Sequence, residues 1–247
     1  MTHRFFVSPE SLGSGHALIE GQTAYQISKV LRMVPGDHVT LLDGVGLEYL
    51  VKLDDLQGIA ITGTIVDVSQ GCSEPPIQIT LCQGILKGQK FEFVLQKGTE
   101  LGITKFIPVI CDRSIPKYTV TINSQRMKRW RKITTEASEQ CGRTLLPEIS
   151  LPVNFRTLCE HVDPKSLCLI SWEQARNASL KKVLTSSDHS SIWLFIGPEG
   201  GFREEEVKCA AENGIIPVSL GKRILRAETA GLVASTAILY EFGALEN

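Results

Sequence analysis

Ile192-Trp193-Leu194-Phe195-Ile196 runs directly into Gly197-Pro198-Glu199-Gly200-Gly201-Phe202, and this junction decides the fold. The apolar run is short, bounded by a glycine, and reads as a strand buried on both faces. The helical pattern Glu204–Asn213 follows it. A second junction of the same design lies about 22 residues on. There Ile215-Ile216-Pro217-Val218-Ser219-Leu220 leads into Gly221-Lys222-Arg223-Ile224-Leu225-Arg226-Ala227-Glu228-Thr229-Ala230 and a helix over Glu228–Phe242. Ligands of open α/β sheets bind beyond the carboxyl ends of such strands. The two junctions are therefore expected at adjacent strand ends, lining one pocket.

The loop chemistry suits a flat, partly apolar ligand. Gly197, Gly200 and Gly201 leave backbone N–H and C=O groups open to close approach. Ile224 and Leu225 offer apolar surface beside exposed main chain, while Arg226 and Glu228 bring opposite charges to the same mouth. An adenine ring stacks on such surface and bonds to such backbone.

Upstream, Ile77–Cys82, Lys105–Ile110 and Leu167–Ser171 read as strands. They alternate with helices over Gln89–Leu101, Asn123–Cys141 and Ala178–Leu184, which argues for a parallel sheet covered on both faces. Trp130, Ile133 and Ala137 recur at helical spacing as a buried stripe. Before Pro75-Pro76 the texture differs. Val39–Leu42 and Leu47–Val51 flank Asp43-Gly44-Val45-Gly46 as a hairpin, Ile59–Ile61 and Thr64–Val68 continue the β pattern, and one short helix is expected near Ala24–Leu31. A small β-barrel over 1–72, a linker over Gln70–Pro76 and an α/β domain over 73–247 follow.

Composition narrows the chemistry. The seven cysteines are odd in number and form no CxxC pair, so reduced thiols and a cytoplasmic setting are expected, most of the thiols serving as small core residues. The five histidines show no ligand spacing, so no metal is expected. No apolar stretch approaches the ~20 residues of a membrane span. P-loop, GxGxxG and GxSxG motifs are missing. Net charge is −1, yet Arg113, Lys117, Arg126, Lys128, Arg129, Arg131 and Lys132 form a basic run, interrupted by no acidic residue between Asp112 and Glu136. Such a run attracts phosphates. Residues 1–72 hold four Lys/Arg against eight Asp/Glu, so RNA contact there would rest on a few placed residues.

Taken together, GPEGGF followed by LGKRILRAETA resembles the SPOUT methyltransferases, and within them the family that methylates N3 of a uridine in bacterial 16S ribosomal RNA. Arg4-Phe5-Phe6, Val30-Leu31-Arg32 with Gly36-Asp37, Gln96–Gly102 and Glu139-Gln140-Cys141-Gly142-Arg143 with Pro147 agree with it in order along nearly the whole chain. Tyr25-Gln26 departs from it, standing where the family commonly has a histidine.

The resemblance implies a trefoil-knotted α/β domain behind a PUA-like barrel, S-adenosyl-L-methionine as cofactor, 16S rRNA within the small subunit as partner, and a homodimer in which the small-residue helix from Ala230 packs against its copy. Ile196 to Gly201, Leu220, Gly221, Ile224, Leu225, Arg226, Thr229 and Ala230 are the cofactor candidates. Arg226, then Arg143, are candidates for stabilising charge on the uracil, and Glu139 and Glu228 for accepting its proton. Arg4, Arg32, Arg113, Arg126 and Arg129 are the RNA candidates. A SPOUT ribose 2′-O-methyltransferase and a non-catalytic ribosome-assembly protein are the alternatives.

Overall fold

The computed structural model describes residues 2–56, 60–114, 124–175 and 178–246, so expectations for Ile59, Lys117 and Asn123 lie outside it. The chain divides into two compact units, one of residues 1–74 with 135–146, the other of 75–134 with 147–247.

In the first unit, strands β1 (His3–Phe6), β2 (His16–Ile19), β3 (His38–Leu42), β4 (Leu47–Asp55) and β5 (Ile61–Gln70) form one sheet in the order β1-β3-β4-β5-β2. β1 runs parallel to β3, and the β3–β4 hairpin closes on Asp43, whose Oδ1 accepts the N–H groups of Val45, Gly46 and Leu47. The sheet faces Phe5, Ile19, Val39, Leu41, Val51, Leu53 and Ile61 onto one core. Helix α1 (Gly21–Tyr25) continues into a wider π-turn, Gln26–Val30, and buries Ala24 and Ile27 in that core. Arg32 then takes φ 54°, with Met33 N–H bonded to Ile27 O. This is the left-handed position at which helices usually place glycine.

Two features of this unit differ from expectation. β5 is one strand, where two short ones were read. The stretch taken as a linker is tied down as far as Glu74, whose carboxylate holds Arg143, with Nη2 to Oε2 at 2.6 Å, and accepts the Leu145 N–H. Segment 135–146 is therefore part of this unit.

The second unit holds β6 (Gln78–Gly84), β7 (Lys105–Ile110), β8 (Glu148–Ile149), β9 (Val153–Asn154), β10 (Leu167–Ser171), β11 (Ser191–Ile196) and β12 (Ile216–Val218). All recorded pairings are parallel, in the order β12-β10-β11-β6-β7-β8, with β9 also on β7. Neighbouring residues alternate between two cores, as strand geometry requires. Leu81, Phe106, Leu169 and Leu194 meet helices α2 (Lys90–Leu101), α3 (Ser124–Cys141), α5 (Leu180–Thr185) and α7 (Ala227–Glu241). Cys82, Ile107, Ile170 and Phe195 meet α4 (Phe155–Cys159) and α6 (Glu204–Glu212). Trp130 and Ala137 are buried and Ile133 partly so, as the stripe predicts. Of α7's small-residue face, Ala230, Gly231, Ala234 and Ser235 are buried within the chain itself, while Val233 and Tyr240 stay exposed. Burial pushes the Cys159 thiol up to about 12 and that of Cys168 to about 11. Among the described residues no helix is long and apolar enough to cross a membrane.

One topological expectation is corrected. β11 and β12 are not neighbours, because β10 lies between them. The chain leaves β10, pairs β11 on one side and returns to place β12 on the other, so three strand ends converge rather than two.

Candidate functional site

Those three strand ends open onto a cleft of about 460 Å³, within the size range of small-molecule sites. Ser171 ends β10 and Glu173 follows it, Ile196 ends β11 and Gly197 to Phe202 follow it, and Ile224 to Glu228 with Ala230 follow β12. Lys90, at the start of α2, closes one side. Sequence reasoning had found neither the β10 end nor Lys90. Its one available cue was Ser171-Trp172-Glu173, a polar step directly after an apolar strand.

The first loop is seated by the absence of a side chain on Gly84, at the end of β6. A Cβ there would lie 2.5 Å from Pro198 N and 2.8 Å from Gly197 C. Gly201 takes φ 66°, which completes the turn before α6. Glu199 folds back, accepting the Lys87 N–H at 3.0 Å and standing 3.8 Å from the Lys90 ammonium. Lys90 also reaches Glu228 Oε1 at 3.5 Å, so one cation bridges the two cofactor-candidate segments. Arg226 is the N-cap residue of α7 and lines the cleft. Among the described residues no ion pair engages its guanidinium; the carboxylates that could have taken it, Glu199 and Glu228, turn to Lys90.

Leu220, Gly221 and Thr229 lie outside the lining of this cleft. Ser219 N–H bonds to Ala178 O and Leu180 N–H to Ser219 O. The end of β12 is thereby drawn toward α5, and Leu220 and Gly221 border a separate depression of about 400 Å³ with Leu180, Val233 and Tyr240. Thr229 is exposed in the first turn of α7.

Residues 73–239 match the RNA methyltransferase domain family. The chain is 34% identical to the ribosomal RNA small subunit methyltransferase E of a Synechocystis strain, covering 96% of this chain and 77% of that protein. It is 32% identical to the Bacillus subtilis protein of the same name, covering 90% and 89%. The chain belongs to the ribosomal RNA small subunit methyltransferase E family. A crystal structure of that enzyme from Neisseria gonorrhoeae, bound to S-adenosyl methionine, superposes with a TM-score of 0.87 at 32% identity, covering 97% of this chain and 98% of that one. A Legionella pneumophila structure in complex with the same cofactor gives 0.88 at 30% identity, with the same coverage.

In this member of the methyltransferase E family, two sequence candidates for chemistry have structural surroundings in the first unit. Arg143 is 3% exposed and its guanidinium forks onto Glu74. This partly buried pair ties Arg143 to the end of the first segment of the unit. Glu139 Oε1 accepts the Phe6 N–H at 3.0 Å, fixing β1. Its carboxyl is raised from the usual range, burial being the main cause, with the Phe6 bond opposing and the charge of Glu136 adding.

Four of the five RNA candidates are also engaged, while Arg32 lies exposed on the first unit. Arg4 packs over Gly142 and stands 4.0 Å from Glu48. Arg113 donates from Nη1 to Gly200 O at 2.9 Å, so it braces the first loop. Arg126 lies 5.1 Å over the Trp130 ring, and Arg129 forks onto Glu92 at 2.6 and 2.7 Å. Among the described residues no cluster of His, Cys, Asp or Glu could hold a metal.

Proposed function

We propose that the protein transfers a methyl group from S-adenosyl-L-methionine to N3 of a uridine in 16S rRNA of the small ribosomal subunit. The observation that carries this reading is the three-strand cleft, in a chain whose solved relatives hold that cofactor at 30–32% identity. The fit rests on this chain's own residues. Gly84 and the loop it admits present bare main chain, Ile224 and Leu225 supply apolar surface, and the carboxylates of Glu173, Glu199 and Glu228 face a cationic ligand.

When bound, the cofactor supplies an electrophilic methyl on a positively charged sulfur. The protein's part is to hold the uracil in line and to stabilise the charge that develops as its N3 proton passes to water. Arg226 does this from the mouth of the cleft, with a fork of donors that stays charged at working pH. The target base reaches the cleft by turning out of its stack. The reading includes a SPOUT trefoil knot in the larger unit, a PUA-like RNA-binding role for the five-stranded unit, and a homodimer. The exposed Val233 and Tyr240 of α7 suit the dimer contact.

Incubation with methyl-labelled cofactor and either small subunits or free rRNA, followed by nucleoside analysis, tests this. 3-Methyluridine is expected. Ribose methylation would replace the base assignment with the 2′-O alternative, and no incorporation into either substrate would leave only an RNA-binding role.

A further inference from the structure

Glu228 is the second residue of α7, with a side chain only 14% exposed. Its Oε1 stands 3.5 Å from Lys90 Nζ, whereas its Oε2 is out of contact with solvent and has no hydrogen-bond partner. A buried carboxylate oxygen in that state is costly unless a donor or a cation meets it. Lys90 answers the charge only in part. It is 39% exposed and shares its ammonium with Glu199, 3.8 Å away. Arg226, two residues before, lines the cleft, and among the described residues it forms no ion pair with Glu228. Among the described lining residues, three carboxylates face two cations, Lys90 and Arg226, leaving one negative charge in excess.

Resting on the cofactor reading above, we propose that Glu228 is the cation-recognising group of the cleft, separating the sulfonium donor from its neutral thioether product. S-adenosylmethionine and S-adenosylhomocysteine share the adenosine, the α-ammonium and the carboxylate. They differ by one methyl group and one positive charge. The excess negative charge of the cleft, to which the Glu228 carboxylate contributes, therefore favours the first over the second, and this preference is lost once the methyl has gone. Product release is then helped by the same residue that helps donor binding. Lys90 acts through Glu228, as a positioning residue that sets how much of the negative charge remains. This assignment takes Glu228 out of proton transfer from the uracil.

Calorimetric titration of the full chain with each of the two ligands tests the proposal without turnover. Glu228→Gln keeps the shape and removes the charge. It should weaken S-adenosylmethionine binding about tenfold while moving S-adenosylhomocysteine by no more than about twofold, the scale for one partly screened charge pair. Lys90→Met should act in the opposite direction and widen the preference for S-adenosylmethionine. Equal weakening of both ligands by Glu228→Gln would show that the carboxylate meets a part common to them, and would overturn the proposal. So would unchanged affinities, or a Lys90→Met protein whose preference narrows. Wild-type protein that binds neither ligand would instead overturn the cofactor reading, and this inference with it.

Discussion

Pro198 occupies the space that a side chain on Gly84 would need, its nitrogen standing 2.5 Å from where that Cβ would be. The end of one strand is thus cut away so that the loop of another can cross it. The cleft depends on this crossing, since the loop's main chain forms its wall.

Gly84→Ala should therefore displace the Gly197–Gly201 loop. The clash is with backbone, which cannot swing aside, and overpacking of this kind costs about 1–3 kcal/mol. Calorimetry should show cofactor affinity reduced by about tenfold or more, with the fold retained by circular dichroism. Gly200→Val probes a different contact, because a Cβ on Gly200 would meet the Arg113 side chain at 3.0 Å. Its effect on affinity should be the smaller of the two.

Arg226→Ala should slow single-turnover methylation by roughly 100-fold, the scale for losing one oriented donor to a developing charge. Cofactor affinity should change little. Arg226→Lys should recover little, since a flexible point charge does not reproduce the fork. A normal rate in Arg226→Ala would remove the residue from the chemistry.

Arg126 and Arg129 lie together on α3, one over Trp130 and one paired with Glu92. Replacing both with alanine should weaken RNA binding and reduce the slope of log K against log salt by about 1.4–1.8, the counterion release of two phosphate contacts. Glu92→Gln, which frees Arg129, should tighten RNA binding. An unchanged slope in the double variant would make this a solvated helix face.

Arg143→Ala should act on stability before activity. Removing the Arg143 guanidinium leaves the partly exposed Glu74 carboxylate without its partner, at a cost of about 1–3 kcal/mol. Urea unfolding followed through Tyr49, or by amide exchange of residues 1–74, should show the loss. A full-stability Arg143→Ala protein that has lost methylation would assign Arg143 to catalysis.

Glu139 gives a pH-dependent test. Its carboxyl is raised in the folded chain, mainly by burial, so the folded state holds its proton more tightly than the unfolded state does. The resulting stability is present at acid pH, below the ordinary carboxylate range, and is lost as pH rises through the folded value. Glu139→Gln should flatten that part of the stability profile while keeping the Phe6 N–H acceptor. An identical profile in the variant would show that Glu139 titrates alike in both states.

Much of the architecture was legible because it is written in local periodicity. The apolar runs that end at Ile110 and Ile196 mark strands with two buried faces. The helical stripe through Trp130 and Ala137 marks α3, and each reading needs only a residue's near neighbours. The two-residue strands β8 and β9 and the one-turn helix α4 escaped, being too short to show a period. The glycine-bearing segment after β11 declared its chemistry for the same local reason: missing side chains and bare main chain are properties of the residues themselves.

Sequence alone thus determined the kinds of element, the glycine loops and most of the residues that line the cleft. Tertiary structure alone decided the partners. It put β10 between β11 and β12, brought Lys90 from more than a hundred residues upstream to bridge Glu199 and Glu228, and joined Arg143 to Glu74. Strand order and long-range ion pairs follow from how distant segments bury their shared faces. That is a property of the packed chain as a whole, and no window of the sequence carries it.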